Sequence, residues 1–140
     1  MLRKKKQSLK AFLKKEIFMI EKRIHSKQIG IISIQNSLNN TILSLTDEQG
    51  NVKAWASAGS VGFKSSRKST SYAAQQAAEV LAKKSLQLGF QNFEIKIKGL
   101  GYGKESALRG LQLGGLSVSK ITDLSPIPHN GCRPPKKRRM

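Results

Sequence analysis

The sequence predicts an α/β fold in one domain, with a mixed five-stranded sheet, flanking helices and a basic extension at each terminus. Three observations predict it: three consecutive strand-like runs between residues 29 and 57, two helical segments that each precede a further strand, and a length of 140 residues. Strands joined by a helix run parallel, whereas strands joined by a tight turn run antiparallel. A chain that uses both connections builds a mixed sheet.

The first three strands follow one another without a helix between them. A β-branched run over residues 29–34 predicts the first strand, and Asn39-Asn40 separates it from the second, residues 41–46. Residues 47–51 contain a glycine and are typical of a turn. The next run, residues 52–57, is therefore expected to complete a hairpin.

The first helix is predicted from Ser69 or Thr70, either of which can cap it, to about Leu88. Gly89 stands where helices commonly end on a glycine in the left-handed conformation. One face of this helix is made mostly of small residues, so we expect it to lie close to the sheet. That face consists of Ala74, Ala77, Ala78, Leu81 and Ser85.

A strand, a helix and a final strand complete the domain. Phe93, Ile95 and Ile97 alternate with polar residues, the pattern of a half-exposed strand. The glycine-rich turn 99–103 leads into the second helix, and the last strand covers residues 116–124. The second helix carries Ala107, Leu108 and Leu111 and is closed by Gly114 and Gly115.

The net charge of +18, from 26 Lys and Arg against 8 Asp and Glu, is the dominant property of the composition. Repulsion of this size disfavours a compact free protein, and a polyanion such as nucleic acid removes it. An anionic membrane surface is the alternative partner, but the sequence has no apolar run of about 18 residues that could span a bilayer. We therefore expect a nucleic acid and no membrane.

The basic residues concentrate at both ends of the chain and divide it into three parts. Residues 1–29 form a basic N-terminal extension, 30–125 a globular domain, and 126–140 an extended basic tail. The extension is rich in Lys and contains two Glu, unlike a transit peptide, so we expect it to remain on the mature protein. Within it, residues 9–24 have the spacing of an amphipathic helix.

Catalysis, metal binding and cofactors find no support in the sequence. The eight carboxylates form no tight pair, and Glu79 is expected simply to pair with Lys83 one helical turn on. Cys132 is the single cysteine and there are two histidines, so neither an internal disulfide nor a dedicated zinc site is expected. We predict no enzyme, no catalytic residue, no metal site and no cofactor.

The turn Gly99-Leu-Gly-Tyr-Gly-Lys-Glu105 is the first candidate binding site. A glycine turn before a helix lets backbone N–H groups approach a phosphate, and Lys104 adds a charge. The spacing fits neither a P-loop nor a dinucleotide fingerprint, because three residues rather than four separate Gly99 from Gly103 and Glu105 follows the lysine. The turn predicts a phosphate contact at Gly101, Gly103 and Lys104; a helix entry with no ligand is the alternative.

The loop that precedes the first helix is the second candidate. It places Lys64, Arg67 and Lys68 among several hydroxyl groups, a composition typical of phosphate contacts, although an ordinary solvated loop has the same local sequence. The tail is the third candidate: four prolines keep it extended, and five cations lie within its last eight residues. Those cations are Arg133, Lys136, Lys137, Arg138 and Arg139.

The tail also carries a resemblance. Pro126-Ile-Pro-His-Asn-Gly-Cys-Arg-Pro-Pro-Lys-Lys-Arg-Arg139 is similar to the C-terminal signature of the universal small-subunit ribosomal protein family numbered eleven. The resemblance covers residues 30–140. It includes the segments 38–42, 54–59, 62–63, 66–70 and 99–105.

The resemblance implies a ribonuclease-H-like layer without catalytic carboxylates. It also implies a place on the platform of the small subunit, with small-subunit rRNA, mRNA near the exit path and E site, and neighbouring ribosomal proteins as partners. The turn version 99–105, with Leu100 and Tyr102 where most bacterial members have proline, is more similar to organelle-encoded members, the mitochondrion ahead of the plastid or a bacterial cytoplasm. The resemblance adds Asn39, Asn40, His129 and Asn130 to the expected RNA contacts.

Overall fold

The computed structural model describes residues 29–133, and the elements match the predicted ones to within about two residues. A 3-10 turn, Ser65–Ser69, not foreseen in the sequence, lies in the loop before the first helix. The strands are β1 Ile29–Asn36, β2 Thr41–Thr46, β3 Val52–Ser57, β4 Asn92–Lys98 and β5 Ser117–Asp123, and the helices are α1 Ser71–Gln87 and α2 Lys104–Leu113.

The five strands form one mixed sheet in the order β3-β2-β1-β4-β5. β2 is antiparallel to both of its neighbours, whereas β1 pairs with β4, and β4 with β5, in parallel. β1, β3, β4 and β5 therefore all point the same way, and only β2 runs against them. The predicted mixed five-stranded sheet is confirmed.

Both helices cover the same face of the sheet and pack on each other. The small face predicted for α1 is buried, as are Ala107 and Leu111 of α2. The two helices approach closely at Gly110, where an added Cβ would lie 2.5 Å from the Gln75 carbonyl oxygen and 2.9 Å from the Ala78 Cβ. Small residues on both helices thus let two helix backbones and a sheet share one thin core.

The other face of the sheet is not covered by any part of the chain that the structure describes. Side chains alternate across a strand, and in β1 and β2 those on the helix side are buried while those between them are half-buried or exposed. We call this second side the open face. It includes Ile31, Ser33, Gln35, Ile42, Ser44, Trp55, Glu94, Lys96, Lys98, Lys120 and Thr122.

The ends of α1 follow the sequence prediction, whereas one predicted ion pair is wrong. The Thr70 hydroxyl accepts a hydrogen bond from the Ala73 backbone N–H at 3.3 Å, and Gly89 has a φ of +87° beyond the helix C-terminus. Glu79 does not pair with Lys83: its carboxylate accepts hydrogen bonds from two glutamines on the preceding turn, which lie on the same helical face.

Two sequence predictions lie outside the described residues. They are the amphipathic helix at 9–24 and the four terminal cations at 136–139. Between residues 29 and 133, no helix is both long enough and apolar enough to cross a membrane.

Candidate nucleic-acid interface

The candidate residues meet at one edge of the sheet. Because four strands point the same way, the segments that follow them leave the sheet at the same edge, which we call the carboxyl edge. These segments are 37–40, 58–70, 99–103 and 124–133. In open sheets with parallel strands this is the usual position of a ligand site. The predicted residues on these segments near the sheet are Asn39, Asn40, Lys64, Arg67, Lys68, Gly101, Gly103 and Lys104, and the tail that carries His129, Asn130 and Arg133 starts from the same edge.

Both helices also begin at the carboxyl edge. A helix N-terminus carries a partial positive charge and unpaired backbone N–H groups, which favour an anion. Thr70 caps α1, but the N-cap of α2 is Gly103, where no side chain of the described residues accepts a hydrogen bond from the first turn. The two N-termini are adjacent, since a Cβ added at Gly103 would lie 2.8 Å from the Ala74 Cβ. Their partial charges therefore act on the same region.

Asn36, a residue that sequence reasoning missed, organises the glycine turn. It ends β1 on the helix side and is 2% exposed, and its side-chain amide donates a 3.0 Å hydrogen bond to the Thr41 hydroxyl. The turn folds around it: a Cβ added at Gly101 would lie 1.5 Å from the Asn36 Oδ1, and one at Gly103 would lie 2.5 Å from its Nδ2. At Gly99 the φ of +119° by itself requires glycine.

This packing gives Gly101 and Gly103 a structural reason to be glycine. Both are buried, and it is the Asn36 side chain that occupies the space a Cβ would need. The glycines therefore do not by themselves indicate a phosphate, and the contact expected at this turn rests on Lys104 and the α2 N-terminus. Leu100 and Tyr102, by contrast, point outward and are 83% and 84% exposed.

Lys104 is held near the edge by a carboxylate from β5. Its Nζ lies 3.7 Å from the Asp123 carboxylate, and both side chains are partly exposed. Hydrogen bonding from Ser125, together with the nearby Lys104 ammonium, keeps the pKa of Asp123 below its ordinary value of 3.8. The Ser125 hydroxyl in turn bonds both the N–H and the carbonyl of Gly99, at 2.9 and 3.3 Å. Ser125, the last residue before the tail, thus joins the end of β5 to the glycine turn.

The loop 58–70 presents cations without carboxylates. Lys64 and Arg67 are exposed and Lys68 is half-buried, and within the described residues none of the three belongs to an ion pair. The loop is shaped by an edge-to-face contact between Phe63 and Tyr72, with ring centroids 5.9 Å apart. Residues 61–67 of the loop line a groove of about 500 Å³. Its cations are available to an external anion.

The two asparagines after β1 have different environments. Asn40 is half-buried, and its side-chain oxygen accepts a 3.0 Å hydrogen bond from the Thr41 N–H. Its backbone N–H and carbonyl both bond the Ser37 hydroxyl, which closes the turn. Asn39 is exposed. The side chain of Asn39 is thus free to contact a partner, while that of Asn40 already has a structural role.

The described part of the tail lies on the surface. His129, Asn130 and Arg133 are exposed, and Asn130 adopts a φ of +55°. Cys132 is an exposed free thiol. The structure thus leaves these side chains available, whereas the four cations that follow Arg133 lie beyond the described residues.

Some features of this edge could have been found in the sequence. The buried positions of β1 recur at every second residue, and Asn36 continues the phase of Ile32 and Ile34, which predicts a buried polar residue at the strand end. The outward position of Leu100 and Tyr102 had no such signal, because it depends on the turn around Asn36. Between residues 29 and 133 no group of three or more His, Cys, Asp or Glu could hold a metal ion.

Comparison with known proteins extends these observations. The family described as "Ribosomal protein S11" matches residues 30–139. A small ribosomal subunit protein uS11m of Marchantia polymorpha is 64% identical over 105 residues, covering 75% of this chain and 84% of its own length. The uS11m of Prototheca wickerhamii is 53% identical over 121 residues, covering 86% and 94%. The uS11 of Aromatoleum aromaticum is 56% identical over 111 residues, covering 79% and 86%.

The match spans the sheet, both helices and the carboxyl edge, and the relatives are nearly as long as the matched region. Fold, charge and sequence agree on one assignment. The chain belongs to the ribosomal protein S11 family and is a structural, non-enzymatic constituent of the small ribosomal subunit.

Proposed function

We propose that the carboxyl edge is the surface through which this chain binds small-subunit rRNA, on the platform and beside the exit path of the mRNA. The observation that carries the proposal is the convergence of the cationic loop 58–70, both helix N-termini and the start of the basic tail on one edge. Phosphates are bound by cations, exposed hydroxyls and backbone N–H groups, and this edge supplies all three.

Each part of the edge has a proposed role. Lys64, Arg67 and Lys68 contact the RNA backbone, and Lys104 and the α2 N-terminus hold a second phosphate. The side chains of Asn39, His129 and Asn130 add polar contacts. The tail from Arg133 to Arg139 threads between RNA helices, where an extended proline-rich segment loses little entropy on docking.

The proposal also covers neighbours and compartment. Exposed apolar residues on the carboxyl edge, Leu100 and Tyr102 among them, fit contacts with adjacent small-subunit proteins. Two of the relatives above carry the name uS11m, which favours a mitochondrial ribosome for this chain. The separation into an N-terminal extension, a globular domain and a tail remains part of the proposal.

The test compares two triple variants of equal charge change. Lys64→Gln, Arg67→Gln and Lys68→Gln together remove the cations of the carboxyl-edge loop. Lys53→Gln, Lys83→Gln and Lys84→Gln remove three cations from elsewhere on the same domain. Binding to a small-subunit rRNA fragment is measured at fixed salt, alongside co-sedimentation with small subunits.

We expect the carboxyl-edge triple to weaken rRNA binding by about tenfold to a hundredfold, because three phosphate contacts are lost. The control triple changes the net charge equally and should cost only a few-fold, since screening weakens charges beyond about 10 Å. Equal losses in the two triples would mean that only net charge matters, and would refute the assignment of the site.

A further inference from the structure

We infer that the open face of the sheet is a second RNA-binding surface. An unpaired base stacks on Trp55 there, while Lys96 and the lysines beside it hold the backbone of the same RNA strand. The inference rests on the proposed function, since it takes the partner to be RNA, but it concerns a different surface. None of its residues belongs to the loops of the carboxyl edge. It arises from the register of the sheet.

The register places one aromatic ring and one cation in the same row of side chains, with two small residues between them. Directly paired residues share a face of the sheet. Across β3, β2, β1, β4 and β5 this row reads Trp55, Ser44, Ser33, Lys96 and Thr122. With strands about 4.8 Å apart, Trp55 and Lys96 are roughly 14 Å apart across two serines.

Trp55 is placed to receive a flat ligand. Trp55, the single tryptophan of the chain, lies within a strand, yet its large aromatic side chain is 58% exposed. Its lateral neighbour is Ser44, whose small side chain leaves the space beside the indole open. An exposed indole next to a shallow polar shelf is a stacking platform, and bases stack on such rings whatever their sequence.

The charge and polarity of the open face favour RNA over an apolar partner. Lys96, Lys98 and Lys120 lie on this face, and Glu94 is the carboxylate among them. The row between Trp55 and Lys96 carries two serine hydroxyls, and Ile31 and Ile42, the apolar residues in the adjacent rows, each lie between two polar neighbours. A surface built to receive an apolar helix has instead a continuous group of large apolar residues in its centre. The N-terminal extension carries ten Lys and Arg against two Glu, so charge also disfavours it as the occupant.

The open face continues into the carboxyl edge. Lys98 ends β4 and directly precedes the glycine turn, and Gln35 pairs with it on the adjacent strand. A single RNA strand leaving the proposed rRNA site can therefore pass over Lys98 onto the face and reach Lys96 and Trp55. Base-paired RNA does not fit this contact, because its bases are already stacked within the helix.

The experiment uses the full-length chain and the fluorescence of Trp55. A short single-stranded oligouridylate or oligoadenylate and a stable RNA hairpin of equal length are titrated separately at moderate salt. We expect the single strands to quench the emission and the hairpin to leave it nearly unchanged. The carboxyl-edge triple variant should keep this quenching with at most a few-fold loss of affinity for the single strand.

Two variants separate stacking from charge. Trp55→Leu should weaken binding of the single strand by about tenfold, and Trp55→Phe by less, because a smaller ring still stacks. Lys96→Gln should raise the dissociation constant of the single strand by a few-fold. It should leave the fold unaltered, since Lys96 is in no ion pair among the described residues. Circular dichroism checks that each variant is folded.

Three outcomes would overturn the inference. The first is an absence of quenching together with unchanged affinity in Trp55→Leu. The second is equal quenching by the hairpin. The third is a blue-shifted emission in the free protein that acrylamide quenches poorly, which would mean that another part of the chain covers the face. In each case the loss of rRNA binding in the carboxyl-edge triple would be unaffected, so failure here is distinct from failure of the proposed function.

Discussion

The turn 47–51 at one edge of the sheet and the loop 58–70 at the other differ in whether their charged side chains are paired within the chain. At the edge opposite the carboxyl edge, the charged residue of the turn between β2 and β3 finds its partners within the turn. The Asp47 carboxylate accepts hydrogen bonds from the backbone N–H of Asn51 at 2.8 Å and from the Asn51 side chain at 3.1 Å. It also pairs with Lys53 at 3.3 Å. At the carboxyl edge the loop 58–70 has three cations and no carboxylate of its own.

This difference distinguishes charges that stabilise the fold from charges that are available to a partner. A charge that is paired within the chain stabilises the folded state slightly and has little left to offer a ligand. A cluster of unpaired cations destabilises the free protein and is relieved by a polyanion. The unpaired cations of the loop 58–70, which disfavour the isolated folded chain, are thus the charges best suited to RNA.

The largest expected effect is the salt dependence of rRNA binding. If six or more phosphates are neutralised, affinity should fall by about a thousandfold between 50 and 200 mM salt, because each contact releases a bound counterion. Titration of an rRNA fragment at several salt concentrations gives the slope. A nearly flat dependence would break the comparison, since it would mean that the unpaired cations do not meet phosphates.

A smaller effect is expected from Gly101→Ala. The added Cβ would lie 1.5 Å from the Asn36 Oδ1 and 2.4 Å from the Ser37 carbonyl oxygen, so the turn must move. Overpacking of this kind typically costs about 1–3 kcal/mol, and we expect that loss in urea unfolding. Gly131→Ala is the matched control, because an added Cβ there meets no atom of the described residues 29–133 within 4 Å.

The same pair of variants tests why position 101 of the glycine turn is a glycine. If Gly101→Ala loses stability while Gly131→Ala does not, the packing around Asn36 is the reason for glycine at position 101. If Gly101→Ala is as stable as the parent chain and loses only rRNA affinity, the original interpretation of a glycine kept small for phosphate would be restored.

The sequence was sufficient for the elements and their order. The turn residues 47–51 and the glycine after α1 mark ends that depend on local backbone chemistry, and β2 and β3 end where predicted. The face of α1 followed from its spacing of small residues. Such features depend on residues that are close to one another in the sequence, and they can therefore be predicted from it.

Features that depend on the meeting of distant segments were not predicted. Asn36 and Gly101 are far apart in sequence, and the meaning of the glycine turn changes once they touch. The exposure of Trp55 likewise follows from which strands neighbour β3 and from both helices lying on one side. One local prediction was also wrong: the expected pair of Glu79 with Lys83 does not form, because glutamines three and four residues before Glu79 bond the same carboxylate.

The smallest effect concerns Asp123, the paired carboxylate of the carboxyl edge. Asp123→Asn removes the partner of Lys104 and a negative charge beside the proposed phosphate site, so rRNA affinity should rise by about twofold. Asp47→Asn is the control at the opposite edge, where a carboxylate is also paired with a lysine. We expect no comparable gain there, because Lys53 is remote from the carboxyl edge.

Stability gives Asp123→Asn a second readout with a defined pH dependence. Hydrogen bonding from Ser125 and the nearby Lys104 lower the pKa of Asp123 in the folded protein, so the ionised form contributes stability at pH values above its ordinary pKa of 3.8. That contribution is lost as the pH falls through the lowered value. The free energies of unfolding of the parent chain and of Asp123→Asn should therefore differ slightly at pH 7 and converge once the pH has fallen below the lowered pKa of Asp123. A variant that is less stable at pH 7 yet binds rRNA more tightly would show that one ion pair serves the fold at the expense of the interface, whereas equal affinity in both proteins would place Lys104 outside the RNA contact.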